Sequence, residues 1–369
     1  MQIISSENNW LEGEAIRQLE MTASFEGMQH VVGMPDLHPG KGIPVGAAYL
    51  TENIFYPHLV GSDIGCGIGL WKTTIKTKKF KLAKSVKRLN QVASYSSEDI
   101  EYYRNKENME QTPFDNALGT IGGGNHFAEL QRIEEIVNPS LCEQHGLSKD
   151  NVYLAVHSGS RGYGGKILSQ HIEEYNAQGL PYPSEPATSY LHQHNHAMQW
   201  AKLNRRLISY QFLDALGGDG VCVLDLFHNS LTMVERQGKT YWLHRKGAAP
   251  TDSGIALIPG SRGDFSYVVR PLSTGWEHAY SMAHGAGRKW KRSEAKGKLK
   301  NRFHVKDLQK TKLGSFVICE DRELLYQEAP QAYKDINVVI DVMINASMIE
   351  VIAILRPLVT YKTTRKKKC

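Results

Sequence analysis

The residues best equipped for chemistry in this chain are a carboxylate, a thiol and several histidines, each held in a glycine- or asparagine-rich turn. Asp63 and Cys66 fall within Gly61-Ser62-Asp63-Ile64-Gly65-Cys66-Gly67. His126 closes Gly122-Gly123-Gly124-Asn125-His126, His157 opens His157-Ser158-Gly159-Ser160-Arg161-Gly162, and His228 lies in Phe227-His228-Asn229-Ser230. One carboxylate, one thiolate and three imidazoles form a ligand set for a close pair of borderline-hard divalent metals bridged by sulfur. The short offset between Asp63 and Cys66 lets both meet one centre from a single turn.

Another histidine, His284, stands in His284-Gly285-Ala286-Gly287-Arg288. Glycines there, and in Gly122-Gly123-Gly124-Asn125, allow backbone N–H groups to face phosphate oxygens. Arg161, Arg288 and Arg292 add forked donors suited to phosphate. Pro259-Gly260-Ser261 and Ser266 bring hydroxyls into the same stretch. A neutral, oriented imidazole in a phosphate-binding loop is a nucleophile at phosphorus, and a nearby cation spreads the resulting charge. These features predict metal-assisted phosphoryl or nucleotidyl transfer. Isolated histidines are more often satisfied structural groups, and His30, His58, His145, His171, His278 and His304 are assigned to that class. His192, His194 and His196 alternate along a predicted helix and do not share one face.

The elements that must carry these groups follow from periodicity and turn residues. Val152-Tyr153-Leu154-Ala155-Val156 predicts a buried strand that delivers His157 at its end, and Val221-Cys222-Val223-Leu224-Asp225-Leu226 one that ends at His228. Further strands are expected within 30–50, at 67–75, 241–243, 255–258 and 338–340, and around 351–355. Helical spacing marks 80–92, 166–177 and 187–216, the last beginning after Pro186 and stopping at Gly217-Gly218. Residues 96–112 are polar and predict a loop or a short surface helix. Strands and helices mix without a βαβ rhythm, which predicts α+β architecture: a single domain over 1–369 with mixed sheets, surrounding helices and a central dinuclear metal cleft.

Composition sets the outer bounds. The hydrophobic fraction of 41% supplies an ordinary globular core. The net charge of +6 is concentrated in 72–87, 288–306 and the basic tail 363–369, expected to be flexible, which suits a polyanionic partner. The five cysteines are scattered without CxxC spacing, which argues against a disulfide framework and for a reducing compartment. No segment is apolar enough to span a bilayer, so a soluble, cytoplasmic protein is expected.

In several longer runs the chain resembles the RtcB family of RNA ligases. They are Met34-Pro35-Asp36-Leu37-His38-Pro39-Gly40-Lys41-Gly42, Asp63-Ile64-Gly65-Cys66-Gly67 and Gly119-Thr120-Ile121-Gly122-Gly123-Gly124-Asn125-His126-Phe127-Ala128-Glu129. The His157, His228-Asn229, His244-Arg245-Lys246-Gly247-Ala248, Pro259-Gly260-Ser261, His284 and Leu355-Arg356-Pro357-Leu358 motifs follow in the family order. The resemblance implies a two-manganese site, with Cys66, His126 and His157 on one ion and Asp63, Cys66 and His228 on the other. It implies that His284 carries GMP taken from GTP. Asn125, Glu129, Ser261, Ser266, Tyr333 and Lys362 match guanosine-nucleotide contacts, together with His228, Asn229, Pro259, Gly260, Gly285, Ala286 and Gly287. The implied reaction joins an RNA 3′-phosphate or 2′,3′-cyclic phosphate end to a 5′-hydroxyl end, in RNA repair or tRNA splicing. An archease-type activator and a release-factor homologue are partners known in the family.

Two departures stand out: Arg262 replaces the methionine of Pro-Gly-Ser-Met-Gly, and Lys291 replaces a serine after the nucleophile loop. The chain is also shorter than typical members. These changes spare every expected ligand and His284, and are expected to bear on substrate choice. Two other readings compete with ligation: a metal-dependent cyclic phosphodiesterase that heals ends without joining them, and a non-catalytic RNA-binding paralogue.

Overall fold

Residues 1–272 and 275–363 are described by the computed structural model. Its larger sheet has eight strands. Seven run in the order Ala256–Pro259, Ser266–Pro271, Ile349–Thr363, Phe127–Ile136, Asn151–Ser158, Gly67–Lys76 and Gly220–Phe227, all antiparallel to their neighbours. The short strand Phe316–Cys319 pairs in parallel with Ile349–Thr363. A five-stranded sheet is ordered Gln2–Ile3, Met28–His38, Val45–Thr51, Lys239–Lys246, Asn229–Arg236. The expected α+β class is the observed one.

Strand periodicity decides what each face buries. Along Asn151–Ser158, Val152, Leu154 and Val156 pack on Ile208, Phe212, Leu213 and Leu216 of the long helix Glu185–Leu216. Tyr153 and Ala155 point the other way, into a cluster with Ile68, Leu70, Leu257 and Val268. A third cluster joins the two sheets through Val32, Met34, Leu50, Leu243, Ile258 and Val269, with Val339, Ile340 and Met343 of the helix Ile336–Asn345.

That helix corrects one expectation. Val338-Val339-Ile340 reads as strand from its β-branched residues, yet lies inside Ile336–Asn345. The Asp335 side chain accepts the Asn337 N–H at 2.9 Å and caps the first turn. Burial of Ile336, Val339, Ile340 and Met343, three and four residues apart, then favours a helix against the sheet. The long helix begins with Ser184 as its cap, so Pro186 sits inside the first turn rather than before it. Residues 97–106 form the short helix allowed for that stretch, closed by a Ser96/Asp99 capping box. The final strand, Ile349–Thr363, is far longer than expected. Of the basic tail, residues 364–369 lie outside the described residues. Among the described residues, no helix is long and apolar enough to cross a membrane. Cys66, Cys142, Cys222 and Cys319 are all free.

Candidate active site

Sheet register assembles the expected ligands. Cys66 immediately precedes Gly67–Lys76, His126 precedes Phe127–Ile136, and His228 links Gly220–Phe227 to Asn229–Arg236. His157 lies opposite Ile68 on one side and Phe127 on the other, and Gly67 lies opposite both Ser158 and Phe227. Four residues distant in sequence therefore meet at one end of adjacent strands. The Cys66 carbonyl accepts the His228 N–H at 2.8 Å, and Gly65 donates back to the Asn229 carbonyl at 2.9 Å. Gly159 is required here because a Cβ on it would sit 2.3 Å from Asp63 Oδ1.

The side chains form a continuous series of contacts. Asp63 Oδ2 is 2.8 Å from His126 Nε2. Cys66 Sγ is 3.2 Å from His126 Nε2 and 3.3 Å from His157 Nε2. His157 Nε2 is 3.2 Å from His228 Nε2. The sulfur is central, with Asp63 and His126 on one side and His157 and His228 on the other. Cys66, His126 and His157 present donor atoms all within 4.8 Å of one another, the grouping expected for one metal. The Asp63 carboxylate contacts His126 rather than His228, its expected co-ligand.

The electrostatics suit cations. Burial, then neighbouring imidazoles, push His157 and His228 well below their ordinary values and keep their lone pairs free. Burial alone would raise the Asp63 carboxyl, but His126, Cys66 and Arg161 hold it below its ordinary range. Burial, then the Asp63 charge, push the Cys66 thiol up. A metal reverses that last effect, since binding expels the thiol proton. Asp63 Oδ1 is buried without a hydrogen-bond partner among the described residues, as expected of an oxygen that fits a metal. His126 Nδ1 lies 3.1 Å from the Ile121 carbonyl; donating there leaves Nε2 as the ligand nitrogen. Arg161 Nη1 approaches the same Nδ1 at 3.1 Å, so the expected phosphate contact starts from a residue packed behind His126.

The long helix braces this end. Arg205, fully buried, donates from Nη1 to the Gly65 and Ser158 carbonyls at 2.8 and 2.9 Å and pairs with Asp225 at 2.6 Å. Asn204 donates to Ser158 Oγ at 3.1 Å and to the Gly159 carbonyl at 3.3 Å. Asn229 is also structural: it donates to the Asp63 carbonyl at 3.0 Å and accepts from Gly247 at 2.7 Å.

His284 stands beside the ligands, its ring centroid 4.7 Å from that of His228. Its Nδ1 is 2.6 Å from Oδ2 of the buried Asp36, a close contact rather than an aligned hydrogen bond. Asp36 Oδ2 also accepts the His284 backbone N–H at 3.2 Å. Gly287, at φ 72°, makes the approach possible, since a Cβ there would lie 2.3 Å from the Asp36 carbonyl. With Nδ1 facing Asp36, Nε2 is left on the opposite edge of the ring.

A cleft of about 840 Å³ runs from the metal ligands past His284 to Glu129, Ser261, Tyr333 and Lys362. Asn125, Pro259, Gly260, Gly285, Ala286, Arg288 and Arg292 line it too. Ser266 does not: its Oγ accepts from Gln131 at 2.8 Å, and Gln131 also donates to Glu129 at 2.7 Å. Thr360 donates to the other Glu129 oxygen. Burial raises the Glu129 carboxyl to about 7 and lowers Lys362 to about 8. Arg288 and Arg292 are each 3.1 Å from Glu328, and the Tyr333 hydroxyl donates to Glu328 as well. Arg288 further donates to the Gln327 carbonyl at 2.8 Å, which commits it to structure. Arg292 is half exposed and donates from Nε to Glu328 at 3.1 Å.

Sequence reasoning assigned no role to Asp36, Glu328 or Thr360. Asp36 sits in a motif run, so that run was its signal. Glu328 has no local signature; only the fold brings cations to it. His58, set aside as structural, lines the cleft. His194 fits that class: its Nε2 accepts the Leu231 N–H at 3.0 Å.

The family model described as tRNA-splicing ligase RtcB matches residues 18–112 and 95–363. The chain is 44% identical to the RNA-splicing ligase RtcB2 of Escherichia coli strain ATCC 25922 over 99% of this chain and 96% of that protein. It is 28% identical to the RNA-splicing ligase RtcB of E. coli K12, covering 95% of each chain. Identity to the tRNA-splicing ligase RtcB of Aeropyrum pernix is 26%, over 94% and 91%.

Proposed function

Since the chain belongs to the RtcB family of RNA ligases, we propose that it seals RNA 3′-phosphate or 2′,3′-cyclic phosphate ends to 5′-hydroxyl ends, using GTP and manganese through a histidine–GMP intermediate. The observation that carries this reading is the placement of His284 between a buried carboxylate and a buried Asp63/Cys66/His126/His157/His228 cluster.

The chain's own groups have definable tasks. Asp36 contacts the Nδ1 edge of His284, and a proton kept on that edge leaves the Nε2 lone pair as the nucleophile. That nitrogen attacks the α-phosphorus of GTP, an N–P bond forms, and the bond to pyrophosphate breaks. A 2′,3′-cyclic end is first opened by water, which bonds to phosphorus as the P–O2′ bond breaks and the 2′ oxygen takes a proton; the GMP group then passes from Nε2 to an oxygen of the RNA 3′-phosphate as the N–P bond breaks. The 5′-hydroxyl attacks the activated phosphorus, and GMP leaves. Glu129 accepts N–H groups from the base edge, and Arg292 supplies mobile positive charge to phosphate. Asp63, Cys66, His126, His157 and His228 would hold the ions. When bound, such ions neutralise charge on phosphorus oxygens and lower the pKa of an attacking hydroxyl.

The test is incubation with α-labelled GTP and Mn²⁺, followed by ligation of defined RNA ends. Wild-type protein should become covalently labelled, and His284→Ala should not. Label that persists in His284→Ala, or its absence from wild type, overturns the nucleophile assignment. Cyclic-phosphate opening without any joining by the wild type would identify an end-healing enzyme instead.

A further inference from the structure

Arg262 sits where the family pattern has methionine, and the structure gives it an unusual setting. It is only 8% exposed and lines the far end of the cleft. One arm of its guanidinium is anchored, Nη2 donating to the Leu325 carbonyl at 2.6 Å. The other arm, Nη1, is buried with no hydrogen-bond partner among the described residues. The nearby Glu328 is already engaged by Arg288, Arg292 and Tyr333. A buried guanidinium donor left unpaired is costly, so a residue held this way has a partner that arrives with a ligand.

We infer that Arg262 is a base-selecting residue, whose free Nη1 donates to O6 of guanine. This deepens the reading above and rests on it. The surroundings favour a base over a phosphate. Glu129 and Asp264 offer acceptors suited to the N–H edge of a base, while Arg288, Arg292 and Lys362 already supply the cations around Glu328, so this end does not call on Arg262 for a phosphate. A guanine presents both patterns: donors at N1 and N2 for a carboxylate, and acceptors at O6 and N7 for a cation. Adenine offers a donor at its 6-position and would leave Nη1 unpaired. Anchoring of Nη2 fixes the fork, so selection depends on one remaining donor rather than on charge alone.

The experiment measures equilibrium binding of GMP and 6-thio-GMP by calorimetry. GMP has no pyrophosphate to lose, so binding is read without chemistry. The thio analogue replaces O6 with a poorer acceptor and keeps the N1 and N2 donors. Wild type should bind it about 10-fold more weakly than GMP, and equal affinities would overturn the inference. In Arg262→Met that penalty should vanish, with GMP itself weakened about 10-fold. Arg262→Gln, which keeps an amide donor, should retain part of the discrimination and guards against a misfolded methionine variant. Unchanged penalties in both variants would overturn the inference while leaving the ligase reading intact. A wild type that binds no GMP and takes no label from GTP would overturn both.

Discussion

The two ends of the cleft solve opposite electrostatic problems. At the metal end, lone-pair donors face one another: thiol against imidazole, imidazole against imidazole, and a carboxylate oxygen with no partner among the described residues. Only cations relieve that arrangement. At the nucleotide end, three cationic side chains and a tyrosine crowd around the single carboxylate Glu328 and the free arm of Arg262. There the unmet need is for acceptors. The ends also differ in support. The metal end is hung on antiparallel strand ends and braced by Arg205 and Asn204. The nucleotide end is assembled from loops around 259–264 and 284–292 and from the segment near Glu328. Rigid elements hold the proposed metal ligands, where small displacements are most costly, and pairs that can exchange partners line the proposed nucleotide end.

The contrast predicts effects of graded size. On the proposed reading Cys66→Ala removes the one ligand shared by both sides, so metal content should collapse and ligation fall by more than roughly 1000-fold. Elemental analysis of the purified protein checks the first, and retention of full metal content would show that the sulfur is not the bridge. Arg205→Met touches no metal ligand but leaves Asp225 buried and unpaired. It should cost about 3–5 kcal/mol in chemical denaturation, whereas an equal change at the half-exposed Arg292 should be nearly silent.

Asp36→Asn should slow guanylylation of His284 on the order of 100-fold with little change in GTP affinity, since it disturbs orientation and proton placement rather than binding. Loss of affinity with an unchanged labelling rate would assign Asp36 to binding instead. The smallest effect is a pH profile. Glu129 must be ionised to accept from a base, so GMP affinity should climb as pH rises through about 7. Lys362 loses its charge through about 8, so affinity should fall again above that. The charges facing Glu129, those of Lys362 and Asp264, leave this direction unchanged. Glu129→Gln should abolish the rising limb; its persistence in calorimetry would assign that limb to another group. In the empty protein the sign is reversed: with its carboxyl raised to about 7, Glu129 contributes stability at low pH that is lost as pH rises through that value.

Much of the metal end is legible in the order of residues, because Asp63, Cys66, His126 and His157 sit beside glycines that advertise close approach. His157 and His228 are even assignable to strand ends from the apolar runs that precede them. The elements that mislead do so for local reasons. Val338-Val339-Ile340 carries the composition of a strand, and only the Asp335 cap and the buried face it shares with Ile336 and Met343 make it a helix. Ser266 carries a hydroxyl in a promising stretch, but alternation along Ser266–Pro271 and the reach of Gln131 put it behind the wall.

Residue type and local spacing alone determined which atoms are capable of ligating metal and attacking phosphorus, since thiol, imidazole and carboxylate chemistry is intrinsic to the side chain. Which of them share a centre was decided by the register of strands far apart in sequence, because contact depends on pairing and burial that no local pattern records. The same holds for the partners of Asp36 and Glu328, and for the unpaired arm of Arg262: a buried charge is defined by its neighbours, and those arrive only with the fold.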